Sequence, residues 1–198
     1  MLILPPDYKE PLKYVGFWKR LAAMLLDMLV TLPLVLLFQW GSQYRLFQAY
    51  YLVPGIIFCF FYNVYLVKRY GGTPGKLLVR IRIAKVNGEP VTYREALLRY
   101  APEMILSFLV SISLICGLLH MTDIEYSSFS LIDRAKRLAQ LEPWGEAVKT
   151  IYGIWVWSEL LVLLTNKKRR ALHDFIAGTV VVEKSHRALP EYPVGAAI

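Results

Sequence analysis

The chain has 198 residues, 56% of them hydrophobic, 14% aromatic and only 19% charged, with a net charge of +8. Soluble domains carry about a quarter charged residues, and here the charges sit in blocks between long apolar runs, which excludes an ordinary soluble globule. Those blocks flank apolar segments and form no stripe along a polar helix, so nucleic acid is set aside as a partner despite the basic balance.

Met1 to Lys19 places prolines, acids and lysines before the first apolar run. No short apolar stretch with a small-residue cleavage site precedes that run, so it is expected to stay in the chain as a helix. The first span is expected from about Phe17 to Phe38, long enough to cross the hydrocarbon core. It should end before the Gln39-Trp40-Gly41-Ser42 turn, with Trp40 at the interface and Pro33 tolerated inside. A second span follows from about Ala49 to Val67, stopped by Lys68 and Arg69, with tyrosines gathered towards its ends. Cys59 and Cys116 both fall in apolar runs without paired-cysteine spacing and read as packing residues.

A polar segment of about thirty residues comes next. Gly71-Gly72-Thr73-Pro74-Gly75-Lys76 is dense in turn residues. It is not a phosphate-binding loop, because its outer glycines are one residue too close and Leu77 follows Lys76. Val79, Ile81 and Ile83 alternate with Arg80 and Arg82, the mark of a half-buried strand, and Asn87-Gly88 predicts a tight turn. Thr92 and Glu95 have capping-box spacing, so a helix should begin near Tyr93. It continues as the third span, roughly Ala101 to Leu119, where Ser107 and Ser111 share a face suited to helix packing in lipid.

From Tyr126 to Leu141, Leu131, Ala135 and Leu138 fall on one helical face opposite Asp133, Arg134, Lys136 and Arg137. Two readings stay open: an amphipathic helix on the membrane surface, or an ordinary surface helix in a loop. The fourth span is expected from about Trp144 to Leu164, ending at Lys167-Lys168-Arg169-Arg170. Thr179-Val180-Val181-Val182 then reads as a strand able to pair with Val79 to Val86. The fold expected is an all-α four-helix transmembrane bundle with a small cytoplasmic β element. Residues 1–198 form one membrane domain.

Orientation follows from the basic residues. The amino end, the segment between spans two and three, and the carboxyl end hold 18 Lys and Arg, against five in the other loops. The positive-inside rule places both termini in the cytoplasm of a cell-membrane protein.

Asp27 is the most informative residue, about 15 Å along the first span and near mid-bilayer. An aspartate there costs roughly 2.5–3.5 kcal/mol on insertion scales, so it should face protein or water. Arg20, two turns earlier on nearly the same face, is too far for a tight pair but could approach through water. Glu159 is a second intramembrane acid, and Glu103 lies near the entrance of span three. Either these acids line a cavity for cations or protons, or they pair with Arg20, Arg99 or tyrosine hydroxyls and fix helix register. His173-Asp174 has the form of a catalytic pair without a suitable nucleophile, so no enzyme is expected, and no cofactor or metal is called for.

Phe17-Trp18-Lys19-Arg20-Leu21-Ala22-Ala23-Met24-Leu25-Leu26-Asp27 resembles the opening of the RDD family of membrane proteins. Gly72-Thr73-Pro74-Gly75-Lys76 with Val79-Arg80-Ile81, and Arg170 to Thr179, resemble that family's other two signatures. Carried over by position, its arginine is Arg20 and its aspartates Asp27 and Asp174. The resemblance covers about Phe17 to Glu183, with residues 120–149 reading as an insertion in an outer loop. It implies a membrane protein of a family suspected of transport, some members being linked to sodium/proton exchange.

The leading expectation is therefore a small transporter, with a monovalent cation or proton as partner besides the lipid bilayer. Asp27 would bind the ion, Glu159 assist, Arg20 tune Asp27 and Asp174 order the basic segment. Four short spans make a thin path, so a homo-oligomer is expected. The alternative is a non-transporting scaffold or accessory subunit that holds a protein partner or anionic lipid through its basic segments.

Overall fold

The computed structural model describes residues 12–184, so the first eleven residues of the stretch expected to lack a cleaved leader lie outside it, as do both chain ends assigned to the cytoplasm. Four helices are long and apolar enough to span a bilayer. They are α1 (Phe17–Gly41), a second rod beginning with α2 (Phe47–Phe60), α5 (Tyr93–His120) and α8 (Pro143–Thr165). No more than 17% of the apolar window of any of them is buried inside the protein. Leu29, Leu36, Trp157 and Leu161 all point outward. Water would not tolerate so continuous an apolar surface, whereas lipid does, and helices satisfy their own backbone groups there. This is the expected membrane bundle.

α1 runs to Gly41, about a turn beyond Phe38, because Gly41 lies against the ring of Phe47 and the Ser42 amide closes onto the Phe38 carbonyl at 2.9 Å. The second rod continues from α2 through a π turn (Phe61–Tyr65) into α3 (Leu66–Tyr70). Gly71 ends it in the left-handed region at φ 80°. The chain then folds back as α4 (Pro74–Leu78) and packs along α1. The glycine-rich stretch, expected to be dense in turns, holds a turn at Gly71 and then a short helix that returns along the bundle.

The small sheet is as anticipated. β1 (Ile81–Lys85) pairs antiparallel with β2 (Thr179–Glu183), Ile83 opposite Val181. Val15 and Tyr14 extend it, since the Val15 amide donates to the Val181 carbonyl at 3.0 Å and Tyr14 bridges Val182. Val15, Ile81, Ile83 and Val181 are essentially inaccessible and join one buried cluster, while Val180 and Val182, equally buried, pack with Ala84 in a second. The turn after β1 is closed by Gly88 at φ 85°, and the Thr92–Glu95 capping box starts α5. The short helix α9 (Leu172–Ile176) leads directly into β2.

At the other end, α6 (Asp123–Ser128) and α7 (Leu131–Leu141) fill the segment between α5 and α8. Arg45 ties them down, donating to the Leu118 and Met121 carbonyls at 2.7 Å and pairing with Asp123 at 2.5 Å. Of the face expected to be apolar, Leu138 packs against Gly117, but Leu131 and Ala135 are exposed together with Ile132. α5 and α8 meet where Gly145 lies on Ser113, a contact that leaves no room for a Cβ.

Candidate functional site

Asp27 does face protein. Its Oδ1 accepts from the Tyr62 hydroxyl at 2.5 Å and the Gly75 amide at 2.7 Å, and its Oδ2 accepts from the Thr73 hydroxyl at 2.5 Å. Each donor arrives for a local reason. Tyr62 lies in the π turn, where the wider i→i+5 winding re-aims side chains. Thr73 precedes Pro74, which starts α4 without needing an amide partner. At Gly75 an added Cβ would strike the Ala23 carbonyl and come within 2.6 Å of the Asp27 amide, so only glycine lets α4 touch the α1 backbone. One intramembrane carboxylate therefore clasps three chain segments.

Beside this clasp a cavity of about 650 Å³ lies between α1, α2, α4 and α5. Its end near Asp27 carries Thr73, Lys76, Tyr100 and Glu103, whereas Leu34, Phe38, Leu52, Ile56 and Phe108 line the remainder. Lys76 donates to the Thr73 hydroxyl at 3.2 Å. Neither Lys76 nor Glu103 makes an ion pair among the described residues. Ser107 and Ser111, expected at a helix seam, line the cavity instead and return their hydroxyl hydrogens to the Met104 and Ser107 carbonyls. The Gln48 side-chain oxygen, at the far end, is buried without a partner.

A second polar layer closes the sheet end. Asp174 is fully buried, and Arg20 donates to its Oδ2 at 3.0 Å while Arg99 pairs with Oδ1. The Thr179 hydroxyl and the Ala171 amide each donate to the same carboxylate at 3.1 Å. Burial by itself raises the Asp174 pKa, but Arg99, then His173 and Arg20, outweigh it and hold the carboxyl well below its usual range. His173 stands with Nδ1 2.6 Å from Glu159 Oε2, and its amide donates to Glu159 Oε1 at 2.9 Å. Burial, then the nearby Arg99, pushes the imidazole below its ordinary 6.5, against the opposing pull of Glu159.

The expected site residues thus divide into two groups. Asp27 and Glu103 reach the cavity; Arg20, Glu159, His173 and Asp174 do not line it. Arg20, expected to tune Asp27, lies two helical turns from it and pairs directly with Asp174. Glu159, expected to assist Asp27, holds the start of α9 through His173. Of the three acids expected either to line a cavity or to pair with Arg20, Arg99 or tyrosine hydroxyls, Asp27 takes a tyrosine, Tyr62; Glu159 meets His173, and the two arginines pair with Asp174. Lys76 and the clasp donors Thr73 and Gly75 were not expected. The signal that could have found them is the Gly72-Thr73-Pro74-Gly75-Lys76 stretch itself, which resembles a family signature and whose Pro74 starts a helix. Among the described residues no cluster of three His, Cys, Asp or Glu could hold a metal.

The RDD family model matches residues 14–178. No curated protein and no solved structure matches the chain.

Proposed function

Because the chain belongs to the RDD family, and because a cavity between its membrane helices carries ionisable groups, we propose that it is a small cell-membrane transporter that moves protons or monovalent cations. Glu103 is the exchangeable carboxylate in this reading. It faces the cavity and has no ion-pair partner among the described residues, whereas both oxygens of Asp27 are engaged by three donors. That contrast is the single observation carrying the proposal. Intramembrane ionisable groups beside a cavity commonly lie on ion pathways. Asp27 acts as the clasp that keeps α4 against α1, and the Arg20–Arg99–Asp174 layer seals the sheet end. In this reading that end faces the cytoplasm, which the bias of Lys and Arg towards it supports. A homo-oligomer would widen a path built from four short spans, and no covalent chemistry is involved.

A non-transporting scaffold has its own support. Lys167, Lys168 and Arg169 are exposed beyond α8, where each basic residue near an anionic leaflet is worth about 1 kcal/mol. Reconstitution separates the readings. Proteoliposomes of the full chain, given a sodium or potassium gradient, should move protons measurably above empty vesicles. Vesicles that show no such flux while binding anionic lipid would favour the scaffold.

A further inference from the structure

A proton or a bare cation fills little of a 650 Å³ space, which is in the size range of pockets for organic molecules. The lining is also segregated. The charged groups gather near Asp27, and from Leu34 to Phe38 on α1, with Leu52, Ile56 and Phe108 opposite, the walls are mostly apolar, interrupted by Gln48 and Ser111. Eleven residues of α1 separate Asp27 from Phe38, so the cavity runs about 16 Å along α1, of which the apolar wall from Leu34 to Phe38 takes about 6 Å.

The polar end offers two groups with spare capacity and opposite charge. Lys76 uses one hydrogen bond, to Thr73, and Glu103 has no ion pair among the described residues. An anionic head group would satisfy Lys76 but meet Glu103 and Asp27. A cationic one would satisfy Glu103 but meet Lys76. Only a head group bearing both signs complements both residues. We propose that the cavity takes a zwitterionic organic solute with an apolar body, its ammonium towards Glu103 and its carboxylate towards Lys76. This rests on the transporter reading and names the substrate class moved with the proton or cation.

The test uses the full chain purified in detergent, with labelled L-phenylalanine, L-leucine and glycine betaine as probes. Phenethylamine and 3-phenylpropionate, which keep the ring but only one charge, serve as competitors. At least one zwitterion should bind saturably at millimolar concentration or below, with each single-charge analogue at least tenfold weaker. Glu103→Gln should erase the discrimination against 3-phenylpropionate, and Lys76→Met that against phenethylamine. Saturable binding of none of the three zwitterions, or an analogue that competes equally well on the wild-type protein, overturns the proposal without relying on any variant. Proton flux in proteoliposomes free of added solute is measured in parallel. Flux without zwitterion binding defeats this inference alone, whereas binding without flux defeats the transporter reading and leaves a solute receptor.

Discussion

At the scale of single residues, Asp27 and Asp174 are stabilised in two different ways. Asp27 is held by neutral donors, so removing its carboxylate orphans a tyrosine hydroxyl, a threonine hydroxyl and an amide in a region where water is scarce. Each orphan costs about 1–3 kcal/mol, so Asp27→Ala should lower the thermal midpoint in detergent sharply. Tyr62→Phe, which removes one donor, should cost about 1 kcal/mol. A midpoint for Asp27→Ala equal to wild type would mean the clasp bears no load. Asp174 is held by two arginines in a buried site, where leaving charges unpaired costs about 3–5 kcal/mol. Asp174→Ala should therefore fail to accumulate as a monodisperse protein, or should melt far below wild type.

His173 adds a pH dependence with a defined sign. Its folded pKa lies below 6.5, so between those two values the unfolded chain binds more protons than the native one and stability falls as pH falls. The loss starts as pH drops through about 6.5, the unfolded value, and is complete below the folded one. Asp174 is also depressed, but its contribution is full above the ordinary carboxylate range and is lost only in strong acid, outside this window. Melting curves from pH 7.5 to 5 should slope downward for wild type and flatten for His173→Gln.

At the scale of elements, the legibility of the sequence tracked how local each cause is. The Thr92–Glu95 box, the Asn87-Gly88 turn and the alternation of Ile81 and Ile83 are decided within a few residues, and the helix start, turn and strand lie where those patterns predict. Asp27 is equally legible as a residue needing shelter, because the cost of its burial depends only on depth. Its partners were not legible, since Tyr62 is 35 residues away and Thr73 is 46 away, joined by a backbone reversal that no periodicity announces. Arg20 misled for the same reason: helical spacing set it near Asp27, while its real partner Asp174 lies 154 residues on. The α4–α1 contact is the element-level consequence. Gly75→Ala would drive a methyl into the α1 backbone, and overpacking of this kind costs about 1–3 kcal/mol. The variant should melt lower than wild type and expose Lys76 to water-soluble amine reagents. Unchanged melting and labelling would show that α4 can stand off from α1 without consequence.

At the scale of the whole molecule, two polar layers cross an otherwise lipid-facing bundle. In the sheet-end layer every carboxylate faces a protein partner: Asp174 has four side-chain or backbone donors, and Glu159 meets His173, while Arg20 Nε and His173 Nε2 stay buried without a hydrogen bond. In the cavity layer Lys76 and Glu103 make no ion pair among the described residues. Paired carboxylates suit a seal, and ionisable groups without an ion pair suit exchange with a solute. The central claim is that Glu103, rather than Asp27 or Glu159, is the carboxylate that exchanges. Cation-driven proton flux through Glu103→Gln, reconstituted at wild-type density after matching its melting temperature to wild type, tests it most directly. The account predicts flux at the level of empty vesicles, with Glu159→Gln still conducting; wild-type flux through Glu103→Gln would contradict it.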